Sequence, residues 1–159
     1  MRGRLLLSLL GALLALFGST FVIPIVAGLL LGEPHEQVGW LYGLPLLLSV
    51  GGGLLLYYRF RSNDELRDRE AFALVSVAWL VFAAIGALPY AMASELSGPD
   101  GVPLLVYDLS PVEAYFESIS GLTTTGATIF DSSVANGTTA DGYFAAPKSL
   151  LLWRSQSQW

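Results

Sequence analysis

The residues best suited to chemistry sit together late in the chain. The run Gly121-Leu122-Thr123-Thr124-Thr125-Gly126-Ala127-Thr128-Ile129-Phe130 carries four threonines and two glycines. Threonine favours extended backbone, and Gly126 permits conformations that other residues resist. An extended Thr/Gly segment can turn successive carbonyl oxygens toward one axis. Rings of such carbonyls replace the hydration shell of a potassium ion in selectivity filters. The same composition fits an exterior loop with a Thr-rich β-turn, so the run by itself leaves both readings open.

The residues upstream decide how the run is held. Ser110-Pro111-Val112-Glu113 is a helix-start signature. Ser110 can cap, Pro111 suits the first helical position and Glu113 can complete a capping box. The pattern predicts a helix from Pro111 to about Ser120, with Gly121 as its stop. Such a helix is about 15 Å long, half a membrane thickness, and cannot span. Its C-terminal end carries about half a negative elementary charge and favours a cation beside it. Non-helical backbone at membrane depth is tolerated only where it is buried in protein or lines a watery cavity. Short helix, Thr/Gly segment and return to the same side therefore make a re-entrant pore loop. Glu113 and Glu117 either draw cations toward an outer mouth, pair with buried basic groups, or lie on the helix surface.

Other chemistries have less support. The chain has no cysteine, so nothing points to disulfides, thiol ligands or a cysteine nucleophile. It shows no nucleophile–base pair, no metal-ligand cluster and no phosphate loop, and is not read as an enzyme. The lone histidine, His35, falls in a short loop and reads as solvated. Asn136-Gly137-Thr138 matches a glycosylation sequon but reads as a turn. The formal charge of −5 argues against a nucleic-acid partner.

The elements that must position the run come from composition. Of 159 residues, 53% are hydrophobic and 13% charged, against about 25% charged in ordinary domains. Leu5–Leu31, Val38–Tyr58 and Ala71–Ser94 contain no Asp, Glu, Lys, Arg or His. Each reaches the roughly 20 residues that a bilayer core requires. Three buried helices of a soluble bundle, or a cleaved signal peptide at the N-terminus, are the weaker alternatives. Gly51-Gly52-Gly53 reads either as a packing site for a neighbouring helix or as simple tolerance of glycine in a membrane span, with no functional role assigned. The fold class is an all-α membrane protein: three transmembrane helices, a re-entrant pore helix with its loop, and the start of a further helix. It divides into residues 1–58, an N-terminal pair of membrane helices; 59–70, a cytoplasmic loop whose charges read as a solvated surface; and 71–159, an incomplete helix–pore loop–helix unit.

Charge orients these spans. Arg2 and Arg4 precede the first, and Arg59, Arg61, Arg67 and Arg69 separate the second from the third, six of the eight basic residues in all. The stretch 95–147 has no Lys or Arg but holds Glu95, Asp100, Asp108, Glu113, Glu117, Asp131 and Asp141. Retention of basic residues on the cytoplasmic side puts the N-terminus and residues 59–70 inside, and the Thr/Gly run outside.

With these residues in place, a resemblance becomes specific. The run Ala114-Tyr115-Phe116-Glu117-Ser118-Ile119-Ser120-Gly121-Leu122-Thr123-Thr124-Thr125-Gly126-Ala127-Thr128 resembles the first pore loop of the Trk/Ktr/HKT family of potassium transporters. Ser149-Leu150-Leu151-Leu152-Trp153-Arg154-Ser155 and Gln158-Trp159 resemble the helix start that follows that loop. The two helices before the pore unit are similar to the TrkH and TrkG branch. The resemblance implies four such units around one pore, in a multi-pass protein of the bacterial inner membrane. It assigns the potassium filter to Thr123, Thr124, Thr125, Gly126 and Ala127, with carbonyls from Thr124 to Ala127 and the Thr124 hydroxyl as a further ligand. It implies K⁺ as transported ion without other cofactor, coupling to H⁺ or Na⁺, membrane lipid as surroundings, a homodimer, and a TrkA-like cytoplasmic nucleotide-binding regulatory subunit.

Family members are about three times this length, and the segment 149–159 is too short to cross a bilayer. The sequence is therefore expected to be a fragment that does not transport alone. The rival readings are a minimal oligomeric cation channel and a non-conducting membrane protein that regulates or anchors a partner.

Overall fold

The computed structural model describes residues 3–62, 66–97, 101, 104–105, 109–130 and 146–158. The readings made at Arg2, Asp100, Asp108, Asp131, Asp141, Asn136-Gly137-Thr138 and Trp159 lie outside them. The described elements are helices: α1 (Gly3–Ser19), α2 (Val22–Leu30), α3 (His35–Arg59), α4 (Asp68–Glu95), α5 (Pro111–Leu122) and α6 (Lys148–Ser157). Three helical stretches are long and apolar enough to cross a membrane: Gly3–Leu30, which joins α1 to α2, then α3, then α4.

Local chemistry explains each interruption. Pro24 has no N–H, so the Thr20 carbonyl loses its donor four residues on. The Ser19 and Thr20 hydroxyls bond back to the Leu16 and Phe17 carbonyls, both at 2.6 Å, and the helix tightens there before α2 resumes. The first span ends on Gly32, at φ +79°. The Glu33 amide reaches the Gly28 carbonyl at 2.9 Å and the Gly32 amide reaches Leu29 at 3.2 Å, a Schellman ending that needs a left-handed residue at this position. In α3, Pro45 sits between two π-helical turns, Gly39–Gly43 and Leu47–Gly51. A wider turn is one way to accommodate a missing amide. The third helix begins earlier than its first apolar residue, Ala71, suggests, inside the basic loop. Arg67 is extended, its amide donates to the Glu70 carboxylate at 3.1 Å, and Asp68–Glu70 form the first turn of α4.

The three spans pack through small residues. A Cβ on Gly11 would lie 2.5 Å from the Gly53 carbonyl oxygen, and one on Gly53 would lie 2.6 Å from that of Gly11. Only glycine lets these backbones touch. Within the triplet, Gly51 and Gly52 meet nothing within 4 Å, so the packing role falls to Gly53 alone.

Helix α6 lies in a cradle made by the N-terminal hairpin and α4. Trp153 is buried, its ring stacked on Phe21 at 4.3 Å, and its indole N–H donates to the Gly86 carbonyl at 3.2 Å. The Gln156 amide donates to the Thr20 carbonyl at 3.1 Å, an oxygen that the Ile23 amide also reaches at 3.1 Å. At the other end, α6 starts on Pro147 with no side-chain cap of its own. Glu33 supplies one from the far side of the sequence. Its carboxylate accepts from the Ser149 amide at 2.9 Å and from the Ser149 hydroxyl at 2.5 Å. The Tyr42 hydroxyl adds a bond to the Ser149 oxygen at 3.0 Å.

Candidate functional site

The short helix α5 is fixed at its start as its residue types require. Ser110 is extended, and its hydroxyl oxygen accepts from the Glu113 amide at 3.3 Å. The Glu113 carboxylate accepts from the Ser110 amide at 2.8 Å and from the Ser110 hydroxyl at 2.7 Å. Those two bonds, the hydroxyl first, hold the Glu113 carboxyl below its ordinary value. The helix has 12 residues, about 18 Å of length. It ends at Leu122, two residues beyond the expected last residue, Ser120. Gly121 stays helical because it is a contact point. A Cβ there would collide with the Ser157 hydroxyl of α6.

Beyond Leu122 the backbone leaves the helix and folds against it. The amides of Thr123, Thr124 and Thr125 donate to the carbonyls of Ile119, Gly121 and Ser120 at 2.9, 2.9 and 3.0 Å, and the Gly126 amide shares the Ser120 carbonyl at 3.4 Å. Two residues adopt left-handed backbone, Thr124 at φ +55° and Gly126 at φ +70°. For threonine that conformation costs about 1–2 kcal/mol, which makes Thr124 the strained residue of the segment. Among the described residues, the carbonyls of Thr123, Thr124, Thr125 and Gly126 accept no hydrogen bond. The Ala127 carbonyl accepts one, from the Ser120 hydroxyl at 2.6 Å.

The hydroxyls divide in the same way. Thr123 donates to the Ile119 carbonyl at 2.7 Å. Its oxygen lies 2.9 Å from the Thr125 oxygen, so Thr125 must donate to Thr123. Both hydroxyls are thus occupied at the helix end. The Thr124 hydroxyl has no such bond among the described residues. Every residue from Thr123 to Ile129 is exposed. The segment is therefore exposed and carries main-chain oxygens that have no donor among the described residues, beside the negative end of α5. Oxygen ligands in this state suit a hard monovalent cation or water.

The two acidic residues of α5 separate. Glu113 is exposed and belongs to the cap. Glu117 is 1% exposed. Its carboxylate accepts from the Thr128 hydroxyl and from the Ile129 amide, each at 2.7 Å, and lies 3.4 Å from the Arg154 Nε. Arg154 also stands over the Phe130 ring at 5.8 Å. Sequence spacing did not single out Arg154. Its one signal was a basic residue following the apolar run Leu150-Leu151-Leu152-Trp153. No group of three or more His, Cys, Asp or Glu that could hold a metal occurs among the described residues.

No family model matches the chain. Curated relatives do. It is 34% identical to the Trk system potassium uptake protein TrkH of Halomonas elongata over 157 residues, 98% of this chain and 28% of that protein. It is 29% identical to TrkH of Escherichia coli K12 over 160 residues, covering all of this chain and 28% of the relative. TrkG of the same strain is 29% identical over 153 residues, 96% of this chain and 27% of the relative. The chain thus spans just over a quarter of the length of the curated relatives it matches. Over nearly its whole length, the chain is similar to TrkH and TrkG, potassium uptake proteins of the Trk system.

Proposed function

We propose that the chain forms one wall of a potassium-selective pore within a longer transporter of the bacterial inner membrane. Thr123 to Ala127 line the ion path, with Thr124 and Thr125 as its central ligands; the oxygens of Thr123 to Gly126 are open to the ion, and that of Ala127 also accepts from the Ser120 hydroxyl. Thr124 adds its hydroxyl. The observation that carries this reading is the division of labour in the segment. Its amides are spent on the end of α5 while four successive carbonyls, Thr123 to Gly126, have no donor among the described residues. The names of the relatives, potassium uptake proteins, supply the ion. The N-terminus lies inside, α5 and its loop enter from outside, and uptake is coupled to H⁺ or Na⁺. A homodimer and a TrkA-like nucleotide-binding subunit are the assembly partners of the whole transporter.

The test is a chimera in which this chain replaces the matching segment of Halomonas elongata TrkH. It is expected to restore growth of a potassium-uptake-deficient bacterium at low K⁺. Thr124→Val and Gly126→Ser in the chimera are expected to lower the K⁺ over Na⁺ uptake ratio. A chimera that reaches the membrane yet takes up no K⁺ refutes the proposal.

A further inference from the structure

We propose that Glu117 is a positioning residue that sets ion specificity by holding the outgoing arm of the Thr/Gly segment, with Arg154 of α6 as its counter-charge. The proposal rests on the pore reading given above. It differs from attraction at an outer mouth, because the carboxylate is turned into the protein.

A buried carboxylate is costly unless it is paired and hydrogen-bonded. Glu117 satisfies this with two hydrogen-bond donors on one side and a counter-charge on the other. The Thr128 hydroxyl and Ile129 amide hold one oxygen at 2.7 Å, and Arg154 faces the other at 3.4 Å. Hydrogen bonds to an ionised acceptor are shorter and stronger than neutral ones. The Thr128 oxygen then accepts from the Phe130 amide at 3.0 Å. The outgoing arm, Thr128 to Phe130, is thereby stitched to one side chain of the short helix.

The incoming arm is stitched to the same helix by Thr123 on Ile119, and the middle by Ser120 on Ala127. Between these anchors lie the oxygens that would face an ion. Their spacing is thus fixed by α5, and Glu117 is the one anchor that a second element also grips. Arg154 lies three residues beyond Leu151 on α6, whose first turn is capped by Glu33. A shift of α6 along its axis would pull on Glu117 and, through it, on the Ile129 amide.

Two measurements test this. Amide exchange of the chain in lipid nanodiscs reads the anchor directly. Glu117→Ala is expected to speed exchange at Ile129 by about tenfold, the size expected for losing a hydrogen bond to a charged group. Glu117→Gln keeps an acceptor oxygen for Ile129 but offers N–H groups to Arg154, and is expected to give a smaller rise. Exchange across α1 to α4 should not change, which separates loss of the anchor from loss of the fold. Unchanged exchange at Ile129 in both variants overturns the anchor. In the TrkH chimera, Glu117→Gln is expected to lower the K⁺ over Na⁺ ratio about tenfold while total cation uptake persists. An unchanged ratio alongside faster Ile129 exchange overturns the specificity role. An unaltered chimera with no K⁺ preference refutes the pore reading itself and removes the specificity role with it, whereas the exchange result stands or falls independently.

Discussion

Thr124 and Gly126 share a left-handed backbone but not the freedom to adopt it. A Cβ at Gly126 meets nothing within 4 Å, so a substitution there is opposed by backbone conformation rather than by crowding. Gly126→Ala is expected to lower the stability of the folded chain by about 1 kcal/mol. Thr124→Gly is expected to raise it by a similar amount, since it relieves the strained residue. Thermal unfolding midpoints in nanodiscs check both, and a neutral Gly126→Ala would refute the left-handed turn. The glycine was legible in the sequence, because a Gly inside a Thr run signals such a conformation. The strain at Thr124 was not, because threonine spacing carries no information about the sign of φ. Nor was the engagement of the Thr123 and Thr125 hydroxyls, which depends on where the helix ends rather than on their own neighbours.

Helix α6 cannot cap itself, and this is its principal dependence. Pro147 offers no side-chain oxygen to its first turn, and Glu33 reaches in from the loop between the first two spans. Glu33→Ala is expected to weaken that turn by about 1–2 kcal/mol, the usual worth of a cap. Faster amide exchange at Ser149, by roughly tenfold, would report it. Glu33→Gln should lie between wild type and alanine, and no change in either variant would show that the turn is held by Trp153 packing alone. Elements with strong local signals were legible. The three spans follow from uncharged length, and α5 from Ser110, Pro111 and Glu113. Its end was misplaced by two residues because Gly121 answers to Ser157, a neighbour in space that local turn chemistry does not reveal. The break at Thr20 and the wide turns of α3 likewise needed the structure, although Pro24 and Pro45 marked their sites.

At the scale of the whole molecule, three membrane-length helices and one half-length helix are arranged around buried Trp153. The absence of cysteine from the sequence makes their orientation easy to test. Glu36 and Arg61 are both exposed, at opposite ends of α3. A membrane-impermeant maleimide is expected to label Glu36→Cys in right-side-out spheroplasts and Arg61→Cys only after lysis. The reverse pattern would overturn the orientation and place the Thr/Gly segment on the inner side. The sequence made the membrane class readable, since it depends on composition. It did not reveal that the N-terminal hairpin grips α6, because that grip runs through single hydrogen bonds between distant residues.

Those distant bonds also impose an order of events during biogenesis. Glu33 and Ser149 are 116 residues apart, and Thr20 and Gln156 are 136 apart. At ribosomal speeds of about 5–20 residues per second, the first hairpin waits on the order of ten seconds for these partners. Throughout that interval the Thr20 carbonyl lacks its side-chain donor and Glu33 lacks the amide it will cap. The earliest part of the chain to enter the bilayer is therefore among the last to be completed. A pause in translation anywhere between residues 34 and 148 prolongs the vulnerability of a hairpin that is already inserted.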